Sequence, residues 1–429
     1  MTSDNSNNNN SDKGRKKQQQ QVGLRNVVAM GLVSFFTDFS TEMVLGVLPL
    51  FIVNNLGASK AILGAIEGSA ELTSYAFRMV SGSLSDKVGK RKIFVLIGYG
   101  ISTVSKPFFA IINGWSGAFV IRTIDRIGKG VRTAPRDALI ADSVSESISG
   151  KAFGIHRTID QIGAIVGPVA AFAILQVMDI RFVFLFSLIP GAVAVIILIY
   201  FVKEVAAVVV AKTGHSNNKI RTVMLSNIGT LIRENKPFVF LLIVSGTFGL
   251  GAFNFSFILL KASDLKIEES FVPIIYALIN VAHAAIGIPS GVLADRIGKE
   301  KVLIIGYLVF VTSTILMALL TENSLYAYVL ALIFGVYLGI SETVQRAIIP
   351  KYVSSKLRGT AYGLYNLVAG VSFFVANVSF GFLWDNYNLN SATFYSIALS
   401  IAAIIGMLLF LKKYSFSSSS NINEVNKFL

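Results

Sequence analysis

GSLSDKVGKRK, residues 82–92, returns 209 residues later as GVLADRIGKEK, residues 291–301. Both phrases are charged and punctuated by glycine, in a chain of 429 residues that is 53% hydrophobic, 11% aromatic and only 14% charged. A soluble globular chain usually carries about 25% charged residues. Around the phrases the apolar residues run in blocks such as FVFLFSLIPGAVAVIILIYFV (182–202) and ALSIAAIIGMLLFL (398–411). Mostly apolar runs of about 18 residues or more predict membrane-spanning helices. They recur along nearly the whole chain, which excludes a soluble core and makes the two phrases loops between spans.

The hydropathy predicts twelve spans, near 27–53, 60–82, 92–112, 116–136, 152–177, 181–202, 237–260, 270–293, 301–320, 324–348, 358–383 and 391–411. The mixed-polarity interval 203–236 is expected to be a linker with a short amphipathic helix, dividing six spans from six. The expected organisation is therefore a disordered polar tail (1–24), a first six-helix bundle (25–202), the linker (203–236), a second bundle (237–412) and a second tail (413–429). Lys and Arg in short loops set membrane orientation. Lys13, Arg15, Lys16, Lys17 and Arg25 precede span 1, Lys87, Lys90, Arg91 and Lys92 follow span 2, and Arg296, Lys299 and Lys301 follow span 8. The loops after spans 3, 9 and 11 carry none. Both termini and the linker are expected on the cytoplasmic side of a plasma membrane. The net charge of +14 is mostly this bias, so nucleic acid is not an expected partner.

The offset of 209 is not confined to the phrases. Gly130 maps to Gly339, and Gly150, Ala152 and Gly154 map to Gly359, Ala361 and Gly363. Separated sites sharing one offset mark an internal duplication, a common construction for transporters. Between spans 2 and 3 of each half, Gly82, Leu84, Asp86, Gly89, Lys90 and Arg91, then Gly291, Leu293, Asp295, Gly298 and Lys299, resemble the G-x-L-a-D-r-x-G-r-r/k signature of the major facilitator superfamily. The resemblance covers about residues 25–412. It implies an all-α membrane protein with twelve transmembrane helices in two six-helix bundles that rock around a central cavity. Gly82 and Gly291 would admit a neighbouring helix. Asp86 and Asp295 would face a helix N-terminus or an arginine across the bundle interface and hold the cytoplasmic side shut. The alternative is that the basic residues, Arg91 among them, are a topology signal alone.

Charges inside the spans point to the chemistry. A charge at the bilayer centre costs about 3 kcal/mol even on insertion scales, so such groups must face protein or water. Span 1 holds Asp38 and Glu42, span 2 Glu67, Glu71 and Arg78, and span 3 Lys106. Span 4 holds Arg122, Asp125, Arg126 and Lys129, and span 5 His156, Arg157 and Asp160. Spacings of three and four put each set on one helix face. At +209 most of these charges vanish: Glu71 becomes Asn280, Arg122 Ala331, Asp125 Phe334, Arg157 Asn366 and Asp160 Ala369. The first half is expected to handle protons or ions, with Asp38, Glu42, Glu71 and Asp160 as coupling acids and Arg126 and Arg157 as their partners. Arg122, His156, Asn254, Tyr276, Asn280, His283, Tyr365 and Asn366 are candidate substrate-cavity residues. A fixed ion-pair network is the other reading of the same charges.

Gly154, Gly163, Gly167 and Pro168 in span 5 resemble the G-x8-G-x3-G-P pattern of drug/proton antiporters in that superfamily, which implies export. Ordinary small-residue packing would leave the same trace. RTAPRD (132–137) resembles a prokaryotic subgroup of such permeases. There is no cysteine and no GxxxxGK[ST] or HExxH motif, and there are three histidines, so ATP-driven transport, thiol chemistry and a histidine-rich metal site are not expected, nor any cofactor. The leading expectation is a monomeric secondary transporter that exports a small amphipathic compound or metabolite against protons, or Na⁺. The alternative is an importer of an organic anion bound by Arg122, Arg126 or Arg157.

Overall fold

The computed structural model describes residues 5–145, 148–204, 228–354 and 357–414, with side chains from Gly23 onward apart from Arg346. Most of the expected linker and the tail beyond residue 414 lie outside the described residues. Among these the chain is helical, with no strand. Span 1 is Asn5–Leu45, continued by Leu48–Leu50 and a π-helical turn Phe51–Asn55; span 2 is Lys60–Val88. Span 3 is Arg91–Ser105 with a 3-10 turn Lys106–Ile111, span 4 Trp115–Ser143, and span 5 Ser149–Leu175. Span 6 comprises Ile180–Phe186 and Leu188–Phe201, and span 7 Lys236–Gly251 and Phe255–Asp264. Spans 8 to 12 are Val272–Ile297, Lys299–Leu319, Leu325–Tyr352, Arg358–Asn386 and Leu389–Tyr414. Residues 228–234 add a short linker helix.

Ten of the twelve are long and apolar enough to cross a membrane by composition alone. Spans 2 and 4 are as long, at 29 residues each, but carry the intramembrane charges. A helix of that length runs about 43 Å, more than the ~30 Å hydrocarbon core. Three boundaries depart most from expectation, the end of span 2 at Val88 rather than 82 among them. Where an unstructured tail is expected, the backbone is helical from Asn5. Gln, Lys and Arg are good helix formers, and extending an existing helix carries no nucleation cost. Span 4 runs on to Ser143 with Pro135 inside it, rather than ending at 136.

The duplication is visible atom by atom. Span 2 ends where the Gly89 N–H bonds Ser85 O at 2.9 Å, and span 8 where the Gly298 N–H bonds Ala294 O at 3.1 Å. Gly89 has φ +69° and Gly298 φ +102°, backbone that only glycine adopts without strain. Asn26 Nδ2 donates to Ser143 Oγ at 2.7 Å, and its counterpart Asn235 donates to Tyr352 O at 2.6 Å. Arg91 Nη1 pairs with Asp142 Oδ2 at 2.6 Å. Its counterpart Glu300 pairs through Oε1 with Lys351 Nζ at 2.6 Å and accepts a hydrogen bond from Tyr352 OH. Positions 91 and 142 map by the offset onto 300 and 351, so the second pair is the first with its charges exchanged.

Packing divides the chain into two compact units. One holds Met1–Leu45, Ala76–Ile112 and Val120–Val210; the other holds Gly46–Tyr75, Asn113–Phe119 and Ala211–Leu429. The boundary therefore runs through spans 1 and 2 as well as the linker, unlike the division at 203–236 expected from sequence. The reason lies in small residues. Within the second unit, Gly64 and Gly68 of span 2 face the backbone of Asn377 and Phe374 in span 11, leaving no room for a Cβ. Gly381 of span 11 faces the Lys60 backbone in the same way. Lys60 Nζ lies 3.7 Å from Asp385 Oδ1 and 5.1 Å from the Trp384 ring centroid, and the Ala61 N–H donates to Asp385 Oδ2 at 2.8 Å. The second unit also packs on aromatics. Phe248 stacks on Tyr307 with centroids 3.7 Å apart, Phe253 meets Phe380 at 4.3 Å, and Phe310 meets Tyr337 at 4.7 Å. In lipid, such contacts stabilise through dispersion and ring geometry, about 0.5–1.5 kcal/mol per aromatic pair.

Candidate functional site

Two glycine seams bring the polar faces of the first unit together. In span 5 a Cβ at Gly163 would stand 2.9 Å from the Phe35 carbonyl carbon. One at Gly167 would stand 2.6 Å from Phe39 O and 2.9 Å from Met43 N. Spans 1 and 5 thus touch backbone to backbone. Gly98 and Gly128 do the same for spans 3 and 4, each Cβ position meeting the other residue's carbonyl oxygen at 2.6 and 2.7 Å. Gly154 has open space around its Cβ position, so that member of the expected glycine pattern takes no part in the contact. Gly163→Ala is expected to destabilise by about 1–3 kcal/mol through overpacking, whereas Gly154→Ala is neutral or stabilises by up to about 1 kcal/mol through helix propensity. Thermal unfolding of the purified variants checks this.

The seams place two carboxyls opposite each other. Asp160 of span 5 is 3% exposed. Its Oδ2 accepts from Arg157 Nη1 at 3.2 Å, while Oδ1 is buried without a hydrogen-bond partner among the described residues. Asp38 of span 1 lies within side-chain hydrogen-bonding reach of Asp160, with Glu42 one turn along and Arg132 also in electrostatic contact. Asp38 and Glu42 are partly exposed. Two carboxyls at such close approach repel when both are charged.

The surrounding shell is continuous. Ser34 Oγ lies 3.0 Å from Tyr99 OH and 2.9 Å from His156 Nε2. Lys106 Nζ donates to Thr41 Oγ1 at 3.1 Å. Asp125 is the hub of span 4: it accepts from Ser102 Oγ at 2.5 Å, and its Oδ2 lies 3.3 Å from Arg122 Nη1 and 3.8 Å from Arg126 Nε. Arg136 donates twice to Asp137 Oδ1, at 3.0 and 2.9 Å. Arg132 stands apart. It is 4% exposed, its guanidinium lies 4.4 Å from the Tyr99 ring centroid, and its Nε and Nη1 are buried without a hydrogen-bond partner among the described residues.

The sequence-based expectations fare unevenly. Asp38, His156, Arg157 and Asp160 come together, and Glu42 joins their edge. Arg126, expected to partner the coupling acids, is held by Asp125 instead. Arg122 and Arg157 likewise have carboxylate partners, which weighs against their binding a substrate carboxylate. Glu71 belongs to the other unit. Asp125, Arg132 and Arg136 were not anticipated as site residues, although continuing the span-4 stripe by three and then four past Lys129 reaches 132 and 136. In the second unit Asn254 is committed to helix capping, its Oδ1 accepting from the Ser256 N–H at 2.8 Å. Tyr276 is buried and stacked 4.4 Å from Phe255. Tyr365 is buried, Asn280, His283 and Asn366 are partly exposed, and His283 Nε2 lies 3.8 Å from Glu342 Oε2. In the repeated phrases, Asp86 is 66% exposed beside Arg91 at 3.5 Å, and Asp295 is 76% exposed beside Lys299 at 3.8 Å. Gly82 and Gly291 have neighbours at ordinary or near-ordinary distance, 3.2 Å to Ala134 and 3.5 Å to Thr343. Pro168 lies inside an unbroken span 5. Among the described residues no cluster of acidic, His or Cys side chains could hold a metal ion.

Comparison with known proteins follows the fold. The family model for the Major Facilitator Superfamily matches residues 30–265 and 239–426. An uncharacterized MFS-type transporter of Methanocaldococcus jannaschii is 33% identical over 394 residues, 90% of this chain and 94% of its own. The quinolone resistance protein NorA of Staphylococcus aureus is 24% identical over 380 residues, 87% of this chain and 94% of its own. Among solved structures, a mutant of the nucleoside transporter NupG superposes with a TM-score of 0.76 at 13% identity, over 91% of this chain and all of that one.

Proposed function

The chain belongs to the Major Facilitator Superfamily, and we propose that within it the protein is a proton-coupled exporter of a small amphipathic compound or metabolite, working by alternating access. It is a multi-pass membrane transporter; the coupling, the direction and a plasma-membrane location with cytoplasmic termini are our reading. The apposed carboxyls of Asp38 and Asp160 beside the uncommitted Arg132 carry it. Asp38, on the partly exposed face, loads the proton. Asp160, fixed by Arg157, holds its other end. When the proton leaves, Arg132, in electrostatic contact with Asp38, supplies the charge that steadies the bare carboxylate. Binding of the substrate on one side of the membrane and of the proton on the other then alternate at one site. The resemblance to a quinolone resistance protein supports export over uptake.

Everted membrane vesicles, energised and loaded with a lumenal pH dye, test this against a panel of cationic, neutral and anionic compounds. Proton release evoked by at least one cationic or neutral amphipathic compound is the expected result. Silence to all of them, with the gradient intact and the protein present, overturns it, and proton-linked uptake of an organic acid would install the importer in its place.

A further inference from the structure

Each half closes its cytoplasmic end with one ion pair between the start of its third span and the end of its fourth. In the first half this is Arg91–Asp142, in the second Glu300–Lys351, each 2.6 Å long. The four residues occupy equivalent positions in the duplication, yet the signs are reversed. The backbone around them is alike, while Arg91 also lies 3.5 Å from Asp86 and Glu300 also accepts from Tyr352 OH. Both phrases turn on a positive-φ glycine, Gly89 or Gly298. Both keep an aspartate, Asp86 or Asp295, beside a basic neighbour. Asn26 and Asn235 brace the same helix end, at Ser143 and Tyr352.

A chain with two such similar docking surfaces faces a choice while it folds. The phrase of one half can settle on the fourth-span end of its own half or on that of the other. It can also settle on the half of a second copy. Misassembly between like repeats and exchange of equivalent elements between copies are common failures of duplicated chains. If both pairs were Arg–Asp, all these combinations would attract. With the signs reversed, wrong docking sets Arg91 against Lys351 and Glu300 against Asp142, like against like. Juxtaposed like charges are the usual physical means of rejecting a wrong partner. We propose that the charge reversal is a recognition code, which lets each phrase dock on the span of its own half and turns it away from the equivalent span of the other half or of another copy.

Three full-length variants separate this from a merely structural clamp. R91E/D142K and E300R/K351D each keep two complementary pairs but give both halves the same polarity. The quadruple variant R91E/D142K/E300R/K351D exchanges the polarities and keeps them opposite. Size-exclusion chromatography of the purified proteins reads the outcome. The two uniform variants are expected to lose monodisperse protein several-fold, with a matching rise in exchanged dimers and aggregate, and the quadruple variant to recover the wild-type profile. Uniform variants that behave like wild type would overturn the code, leaving two independent clamps. A quadruple variant as poor as the uniform ones would also overturn it, since local surroundings rather than sign opposition would then set the requirement.

Discussion

Vesicles carrying Asp160→Asn protein will show substrate-evoked proton release lowered by about 100-fold, the effect of losing a coupling free energy near 3 kcal/mol. The amide keeps the volume of the side chain and an oxygen for Arg157, so the glycine seam between spans 1 and 5 stays closed. What it removes is the acid. Asp38 then faces a group that cannot share or repel a proton, and the Arg157 guanidinium loses the charge it pairs with at 3.2 Å. Substrate-for-substrate exchange, which moves no net proton, is expected to survive. That contrast distinguishes an uncoupled transporter from an unfolded one. Asp38→Asn should give the same pattern. Full proton release in both variants would reduce the pair to a fixed network and move coupling elsewhere, with Glu42 the next acid on the same face.

Asp125→Ala is expected to be the most damaging single change to stability, at about 3–5 kcal/mol, the usual cost of stranding a buried charge by removing its partner. Arg122 and Arg126, both buried, would lose the carboxylate that holds them, Lys106 would lose its nearest strong counter-charge, and Ser102 would lose its acceptor. The loss approaches the whole stability of a marginal fold. Thermal unfolding in detergent measures it, with Asp125→Asn as the milder companion that keeps the Ser102 hydrogen bond. A loss below about 1 kcal/mol would mean that water or other acids replace Asp125, as at an exposed pair.

The twelve spans and the duplication were legible because lipid imposes a length and an apolar composition that sequence must display. Asp38 and Asp160 were legible for the same reason: a charge in such a block stands out. The hub at Asp125 was harder. Its stripe and its pairs with Arg122 and Arg126 lie along one helix, but Ser102 joins it only because span 3 approaches at Gly98 and Gly128, a long-range contact that spacing along one helix does not encode. Arg132 and Arg136 lay within the expected span 4, but their place beside Asp38 and Asp160 depends on how spans 1 and 5 approach span 4, which the sequence of one span does not encode. Glu300 stands where the signature has a basic residue. It is paired fifty-one residues away with Lys351, and reading one position without its mate conceals that. Gly154 matches a pattern but touches nothing, whereas Gly163 and Gly167 do the packing.

The compact body that contains residues 46–75 is not the body to which the duplication assigns them. What was copied and what folds together are different pieces of chain. The first half of span 2 is shaped, through Gly64 and Gly68, to lie on a span from the other repeat. A single six-span repeat would therefore carry a glycine-lined face with no seat of its own. Because both repeats lie on one polypeptide, that seat is supplied at a fixed one-to-one ratio, whatever the protein concentration.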